Sequence, residues 1–162
     1  MPDKARVALA MVNYYKGQPK RINHFIKVHG FAAAIGRLEG LDEAAQEILE
    51  VAALTHDIGI LPSERKYGSS AGGYQQTEGP PEAQKMLESL GYPEQIVRRV
   101  CWLIAHHHEY ADIRGMDYQI LVEADFLVNI HEGEMSESAA AGIRQKIFRT
   151  RAGKEMFDCL FG

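Results

Sequence analysis

The chain has 162 residues, of which 46% are hydrophobic and 25% are charged, and this balance suits one globular domain with a full core. The formal net charge is -4 without a basic block, so duplex nucleic acid is not an expected partner. No run reaches the roughly 18 apolar residues of a membrane span. The first residues lack a cleavage-like signal pattern, and the two cysteines, Cys101 and Cys159, fit buried thiols in a reducing compartment. We therefore expect a cytoplasmic protein without a membrane partner.

Helix-period apolar patterns recur along the whole chain, whereas strand signals are nearly absent, so the fold class predicted is all-α. Asp3 and Asp42 are expected to act as N-caps of the first and third helices. Pro19 is expected in the first turn of the second helix, where its missing N–H is tolerated. The first three helices are predicted over residues 3–15, 19–38 and 42–56.

Residues 58–77 have no apolar period and contain four glycines, so this segment is predicted to be a long loop. Loops of this length in compact domains usually have a function. Further helices are expected after it, with Asp117 and Ser136 as N-caps of two of them and with an apolar helix at the chain's end. The predicted ranges of these later helices are 80–90, 93–108, 118–132 and 136–148.

Several polar side chains occupy apolar faces of these predicted helices. His29 lies on the apolar face of the second helix, and His56, followed by Asp57, ends the apolar row of the third. His107 and His108 each end an apolar row of the helix over 93–108, and Asp125 interrupts the row Leu121, Ala124, Val128. His24 and His131 carry no pattern of this kind.

Each of these residues alone has a simpler explanation, since an inward histidine is more often a hydrogen-bonded core residue than a ligand. Asp125 could cap a neighbouring helix, and Glu78 could be an ordinary first-turn acid. A buried carboxylate without a partner costs several kcal/mol, however. Imidazoles and carboxylates delivered by four helices to one place favour a divalent metal site, which helical bundles commonly build.

The order His29, then His56-Asp57, then Asp125 resembles the HD superfamily of metal-dependent phosphohydrolases, whose signature is H...HD...D on an all-helical bundle. The resemblance covers residues 21–129, and the sequence EADFL around Asp125 is similar to the family's last motif. It implies a single HD-domain-like bundle over 1–162, with the C-terminal helices packed on it. It also implies that His29, His56, Asp57 and Asp125 ligate one metal.

Binuclear members of this family add ligands that correspond here to Glu78, His107 and His108, and Asp57 would then bridge the two ions. Glu78 stands where the family usually has histidine. Ile60 replaces the lysine of an H-D-I-G-K motif, so Arg65, Lys66 or Lys27 would have to supply that charge. The sequence Gly91-Tyr92-Pro93 precedes the histidine triplet rather than following it, which argues against cyclic-dinucleotide hydrolysis.

The resemblance implies hydrolysis of a phosphate ester or anhydride in a small substrate, and we expect a nucleotide. Asp57 is the expected proton acceptor, and Asn129, one helical turn after Asp125, would contact substrate or orient Asp125. We expect one or two divalent ions, iron or manganese first, with magnesium, zinc, nickel and cobalt also compatible. A homodimer is compatible with the sequence.

Two other function classes remain open. A diiron oxygenase can use a similar His/Asp constellation on the same kind of bundle, and it would consume oxygen and require iron. A non-catalytic signalling module would keep the bundle and lose the ligands, and the intact core signature argues against it.

Overall fold

The computed structural model describes residues 2–162, and within this range it consists of nine α-helices and contains no strand, as the all-α prediction requires. The bounds are α1 (Lys4–Tyr14), α2 (Pro19–Leu38), α3 (Glu43–Thr55), α4 (Ile60–Tyr67), α5 (Gly72–Ser89), α6 (Glu94–His106), α7 (Met116–Glu132), α8 (Glu137–Lys146) and α9 (Arg151–Phe161). None of these helices is both long and apolar enough to cross a bilayer.

Helix α3 lies at the centre of the bundle, packed against α1, α2, α6 and α7. Its second half is buried from Leu49 to His56, so the segment that carries the His56-Asp57 dipeptide is held on several sides. Helix α5 packs on α6, α4 packs on α5, and α9 packs on α2 and α7. Cys159 on α9 is exposed, so the prediction of a buried thiol is wrong there.

Three predicted N-caps are present. The Asp3 carboxylate accepts from the Ala5 amide at 3.0 Å, Asp42 accepts from Ala45 at 2.8 Å, and the Ser136 hydroxyl accepts from Ala139 at 3.2 Å. The prediction of Asp117 as an N-cap is wrong, because α7 begins at Met116 with Gly115 as its N-cap. Asp117 instead forms a two-fold ion pair with Arg99, with N–O distances of 2.8 and 2.9 Å.

The predicted long loop is also wrong, because residues 60–67 form α4 and α5 already begins at Gly72. Of the glycines in this segment, Gly68 ends α4 in the left-handed conformation, with φ of 67°. Gly59 instead allows a close helix contact: a Cβ there would lie 2.9 Å from the Gly79 Cα. Pro80 and Pro81 lie inside α5 rather than at its start. Helical packing thus overrides the local helix-breaking signals of these residues.

Candidate metal centre

His56 is the fully buried C-cap residue of α3. Its Nδ1 donates to the Ala53 carbonyl at 2.7 Å, and because a carbonyl only accepts, this bond assigns the proton of the neutral ring to Nδ1. Nε2 therefore carries the lone pair. It faces Asp57 Oδ2 at 3.4 Å and Asp125 Oδ1 at 3.3 Å.

His24 on α2 completes this group. Its Nε2 lies 3.2 Å from Asp57 Oδ2, 3.2 Å from Asp125 Oδ1 and 3.3 Å from His56 Nε2. Its other nitrogen, Nδ1, bonds to Glu132 Oε1 at 2.7 Å. The structure thus brings together His24, His56, Asp57 and Asp125, from α2, the end of α3 and α7.

His29 does not join the group, which corrects the prediction for the first histidine. Its Nε2 contacts Glu50 Oε1 at 3.0 Å instead. His24 and His29 are five residues apart, which turns the second side chain about 140° around the helix axis. A signal for His24 was present, because His24, Val28, Phe31 and Ile35 follow the i, i+4, i+7, i+11 period, and Val28 and Ile35 are buried.

His107 and His108 form a second group with Asp57, their ligand atoms lying within 4.8 Å of one another. His107 Nδ1 donates to the Ile104 carbonyl at 2.8 Å, which leaves Nε2 with the lone pair, 3.7 Å from Asp57 Oδ1. His108 Nε2 contacts Gln75 Oε1 at 3.4 Å. The two carboxylate oxygens of Asp57 therefore face different histidines, Oδ2 toward His24 and His56 and Oδ1 toward His107.

Glu78 is not part of the second group, contrary to the prediction. Its Oε2 accepts a hydrogen bond from the Tyr67 hydroxyl at 3.1 Å and lies 3.5 Å from Lys66 Nζ. The reason is that α5 already contains residue 78 and turns its side chain toward α4. From this helix Gln75, almost one turn earlier, is the side chain that reaches His108.

The carboxylates set the protonation of the first group. Burial alone would lower the pKa of His24, but hydrogen bonds to Asp125 and Asp57 outweigh burial and raise the pKa to about 11. Burial also acts to lower the pKa of His56, and the charges of Asp57 and Asp125 raise it above its ordinary value. In return, although burial acts in the opposite direction, the charge of His56 holds the pKa of both carboxyls below their usual range.

His108 shows the opposite shift. Burial and the neighbouring His107 lower its pKa to about 4, so its imidazole is neutral at pH 7. A neutral imidazole is the form that binds a metal. The second group therefore needs no proton to be displaced from His108.

The residues present fit a divalent cation. The Nε2 atom of His107 is buried and has no hydrogen-bond partner, which is costly for a polar atom unless something binds there. His56 Nε2 likewise faces carboxylate oxygens with its lone pair, so a proton or a cation must lie between them. A mixed set of imidazole nitrogens and carboxylate oxygens suits iron, manganese or zinc.

A cleft of about 400 Å³ opens beside the first group. Lys20 and Arg21, at the start of α2, provide its positive charge, and Asn129 lies in its wall as the sequence suggested for a substrate contact. Arg65 and Lys66 do not line it, because α4 presents both to solvent, and Lys27 pairs with Glu132 at 3.6 Å. The full lining is Gln18, Pro19, Lys20, Arg21, His24, Asp57, Ile60, Asn129 and Glu132.

Comparison with known proteins agrees with this architecture. No curated protein matches the chain. The crystal structure of a predicted HD superfamily hydrolase from an uncultured Thermotogales bacterium matches with a TM-score of 0.71 and 22% identity, over 99% of this chain and 86% of that chain. This likeness establishes a shared fold. The family model described as HD domain matches residues 21–147, which is most of the sequence, and the chain therefore belongs to the HD domain family.

Proposed function

We propose that this protein is a metal-dependent phosphohydrolase that acts on a small phosphorylated substrate, with nucleotides as the expected class. The observation that carries the proposal is the position of the His/Asp centre beside a cleft whose charged wall contains Lys20 and Arg21. Membership of the HD domain family supports the same reaction class.

The centre would hold its cation through His24, His56, Asp57 and Asp125, with His107 and His108 on the other side of Asp57. A divalent cation there supplies a Lewis acid that lowers the pKa of water and offsets charge on the phosphoryl oxygens. Iron and manganese are the expected ions, because both accept mixed imidazole and carboxylate ligands.

Asp57 is the carboxylate best placed to accept a proton from water. Its side chain lines the cleft and is 19% exposed, whereas that of Asp125 is only 7% exposed. Water in the cleft can therefore approach Asp57. Its carboxylate would take a proton from the water as the water oxygen bonds to phosphorus and the bond from phosphorus to the leaving-group oxygen breaks.

Arg21 and Lys20 are proposed to bind the phosphate in place of Arg65 and Lys66. Arg21 is oriented by Gln18, which accepts from its Nε at 2.9 Å, and by an ion pair with Glu64. A guanidinium held in this way binds phosphate oxygens in a fixed geometry. Asn129 can donate from its side-chain amide to the same substrate.

The size of the cleft supports a substrate of nucleotide size. A volume of about 400 Å³ lies in the range of small-molecule sites, roughly 300–1,000 Å³.

The proposal is tested by phosphate release. Protein reconstituted with Mn²⁺ or Fe²⁺ is assayed without oxygen against nucleoside monophosphates, cyclic nucleotides and p-nitrophenyl phosphate. We expect metal-dependent release of inorganic phosphate from the monoesters, or conversion of a cyclic nucleotide to its nucleoside monophosphate. Arg21→Ala should lower kcat/KM by about tenfold to a hundredfold, the worth of a hydrogen bond to a charged group, whereas Arg98→Ala, which removes an exposed arginine paired with Glu94, should leave it unchanged.

Two outcomes would overturn the proposal. Oxygen consumption by the iron-loaded protein without phosphate release would identify a diiron oxygenase. Absence of both metal binding and turnover would identify a non-catalytic module.

A further inference from the structure

Helix α1 reaches the turn of residues 57–61, which carries Asp57 and is called the metal-bearing turn below, although α1 precedes residue 21, where the HD domain match begins. Tyr15, the residue after α1, is buried and donates its hydroxyl proton to the Asp57 carbonyl at 2.7 Å. The Tyr15 hydroxyl oxygen in turn accepts from the Leu61 amide at 3.3 Å. Tyr14 donates to the next carbonyl, that of Ile58, at 3.3 Å. Two consecutive tyrosines thus bind two consecutive carbonyls beside the centre.

No side chain of this turn caps α4, and within the turn the Ile60 amide donates to the Asp57 carbonyl at 3.1 Å. Gly59 is the N-cap residue of α4, and α4 has no side-chain cap. A larger residue is excluded there, since a Cβ at position 59 would lie 2.9 Å from both the Gln75 carbonyl oxygen and the Gly79 Cα. The first amides of a helix need acceptors from elsewhere. The Tyr15 hydroxyl provides one for Leu61, the second residue of α4.

The ring of Tyr15 has a separate contact. The Arg21 guanidinium carbon lies 6.0 Å from the ring centroid, at the outer limit of a cation–π contact. The hydroxyl therefore contacts the metal-bearing turn, whereas the ring contacts the arginine proposed to bind phosphate. These two contacts can be separated by substitution, because phenylalanine keeps the ring and loses only the hydroxyl.

We propose that the Tyr15 hydroxyl is a positioning group for the metal centre: it fixes the backbone of residues 57–61, so that each oxygen of the Asp57 carboxylate faces its own histidines. The inference rests on the metal centre proposed above and adds a residue that lies outside the matched family region. Groups that orient metal ligands typically change metal affinity tenfold to a hundredfold when removed.

The test is the affinity for Mn²⁺, measured by isothermal titration calorimetry on the full chain. Tyr15→Phe should weaken Mn²⁺ binding by about tenfold to a hundredfold. At saturating Mn²⁺ its KM for p-nitrophenyl phosphate should stay within about twofold of wild type, because the ring beside Arg21 remains. Tyr15→Leu, which also loses the ring, should raise that KM in addition.

Tyr92→Phe is the matched control. Tyr92 is also buried, and its hydroxyl donates to Glu47 at 3.3 Å. This hydrogen bond does not involve the metal centre. We expect Tyr92→Phe to be less stable than wild type, because it also loses a buried hydroxyl. Its affinity for Mn²⁺ should equal that of wild type.

A measurement on the wild type covers the case in which Tyr15→Phe does not fold. Mn²⁺ should slow hydrogen exchange of the Leu61 amide more than that of amides in α8. Equal Mn²⁺ affinity for wild type and Tyr15→Phe, an equal loss in Tyr92→Phe, or an unchanged Leu61 exchange rate would overturn the inference while leaving the proposed function intact. Absence of Mn²⁺ and Fe²⁺ binding by the wild type would overturn both.

Discussion

The Nδ1 atom of His24 bonds to the Glu132 carboxylate at 2.7 Å, and this bond turns Nε2 of the same ring toward Asp57 and Asp125. Glu132 ends α7, the helix that also carries Asp125. One helix thus provides both a carboxylate of the centre and the group that orients its histidine. A carboxylate behind a ligating imidazole fixes its tautomer and increases its basicity.

Removing this carboxylate should weaken metal binding without unfolding the protein. Glu132→Ala is expected to lower the affinity for Mn²⁺ by about tenfold to a hundredfold, because His24 loses the bond that directs its ring. Calorimetric titration measures the change. Glu134→Ala, which removes an exposed carboxylate two residues later, is the control and should bind Mn²⁺ like wild type. Equal affinities of both variants and wild type would exclude an orienting role for Glu132.

His24 and His29 should behave differently when each is replaced by alanine. His24→Ala removes a side chain within 3.3 Å of three polar groups of the centre and should abolish binding at the first group. His29→Ala should retain the metal and lose about 1–3 kcal/mol of stability, because the buried Glu50 loses a hydrogen-bond partner. Metal analysis and urea unfolding separate the two effects. Loss of metal in His29→Ala alone would favour the assignment predicted from the sequence.

The close packing of α5 on α6 should tolerate no side chain at Gly79. A Cβ there would lie 2.8 Å from the Ile104 Cγ2 atom, so Gly79→Ala is expected to cost about 1–3 kcal/mol in unfolding free energy. Gly30→Ala, in the interior of α2 with nothing within 4 Å of its added Cβ, should instead stabilise by about 0.5–1 kcal/mol. Chemical denaturation compares the two. Equal effects at both positions would refute the close packing of α5 on α6.

Metal affinity should rise with pH around neutrality. The carboxylates raise the pKa of His24 from its ordinary 6.5 to about 11, so the metal-free protein holds a proton at pH 7 that binding must displace. Titrations with Mn²⁺ in two buffers of different ionisation enthalpy measure that release. Binding of Mn²⁺ without proton release at pH 7 would contradict the protonation inferred for His24.

The same shifts give the metal-free protein a defined pH range of stability. The raised pKa of His24 contributes stability that is complete below about pH 6.5 and is lost as pH rises toward about 11. The lowered pKa of Asp57 contributes stability that is present above its ordinary value of 3.8 and is lost as pH falls. In the presence of a chelator, these two groups should therefore raise the melting temperature most between about pH 4 and 6.5. A melting temperature that rises steadily from pH 6.5 to pH 10 would contradict the raised pKa of His24.

The sequence was informative where a polar residue interrupts a clear apolar row. Asp125 follows Leu121 and Ala124 on a helix that is buried at most positions, and His56 ends the central helix, so both positions were predictable. The sequence of α2 contains two overlapping apolar rows, and the row through His29 predicts the wrong histidine. That row included Ile26, which is 42% exposed in the structure.

The segment after Asp57 was unpredictable for a different reason. Its glycines and prolines oppose helix formation locally, and only the packing of α4 on α5 and of α5 on α6 makes the helices stable. The positions of Glu78, Arg65 and Lys66 depend on those helices. Because the segment was predicted as a loop and is helical, the positions predicted for these three candidate site residues are wrong as well.

We propose that Asp57 and its surrounding histidines hold a divalent metal, and this binding can be measured. Wild type and Asp57→Ala, purified without chelator and reconstituted in parallel with Mn²⁺ or Fe²⁺, can be compared by elemental mass spectrometry, with circular dichroism as a check on the fold. We predict one or two bound ions per wild-type chain and their loss in a folded Asp57→Ala. Full metal content in the variant, or none in the wild type, would contradict the claim.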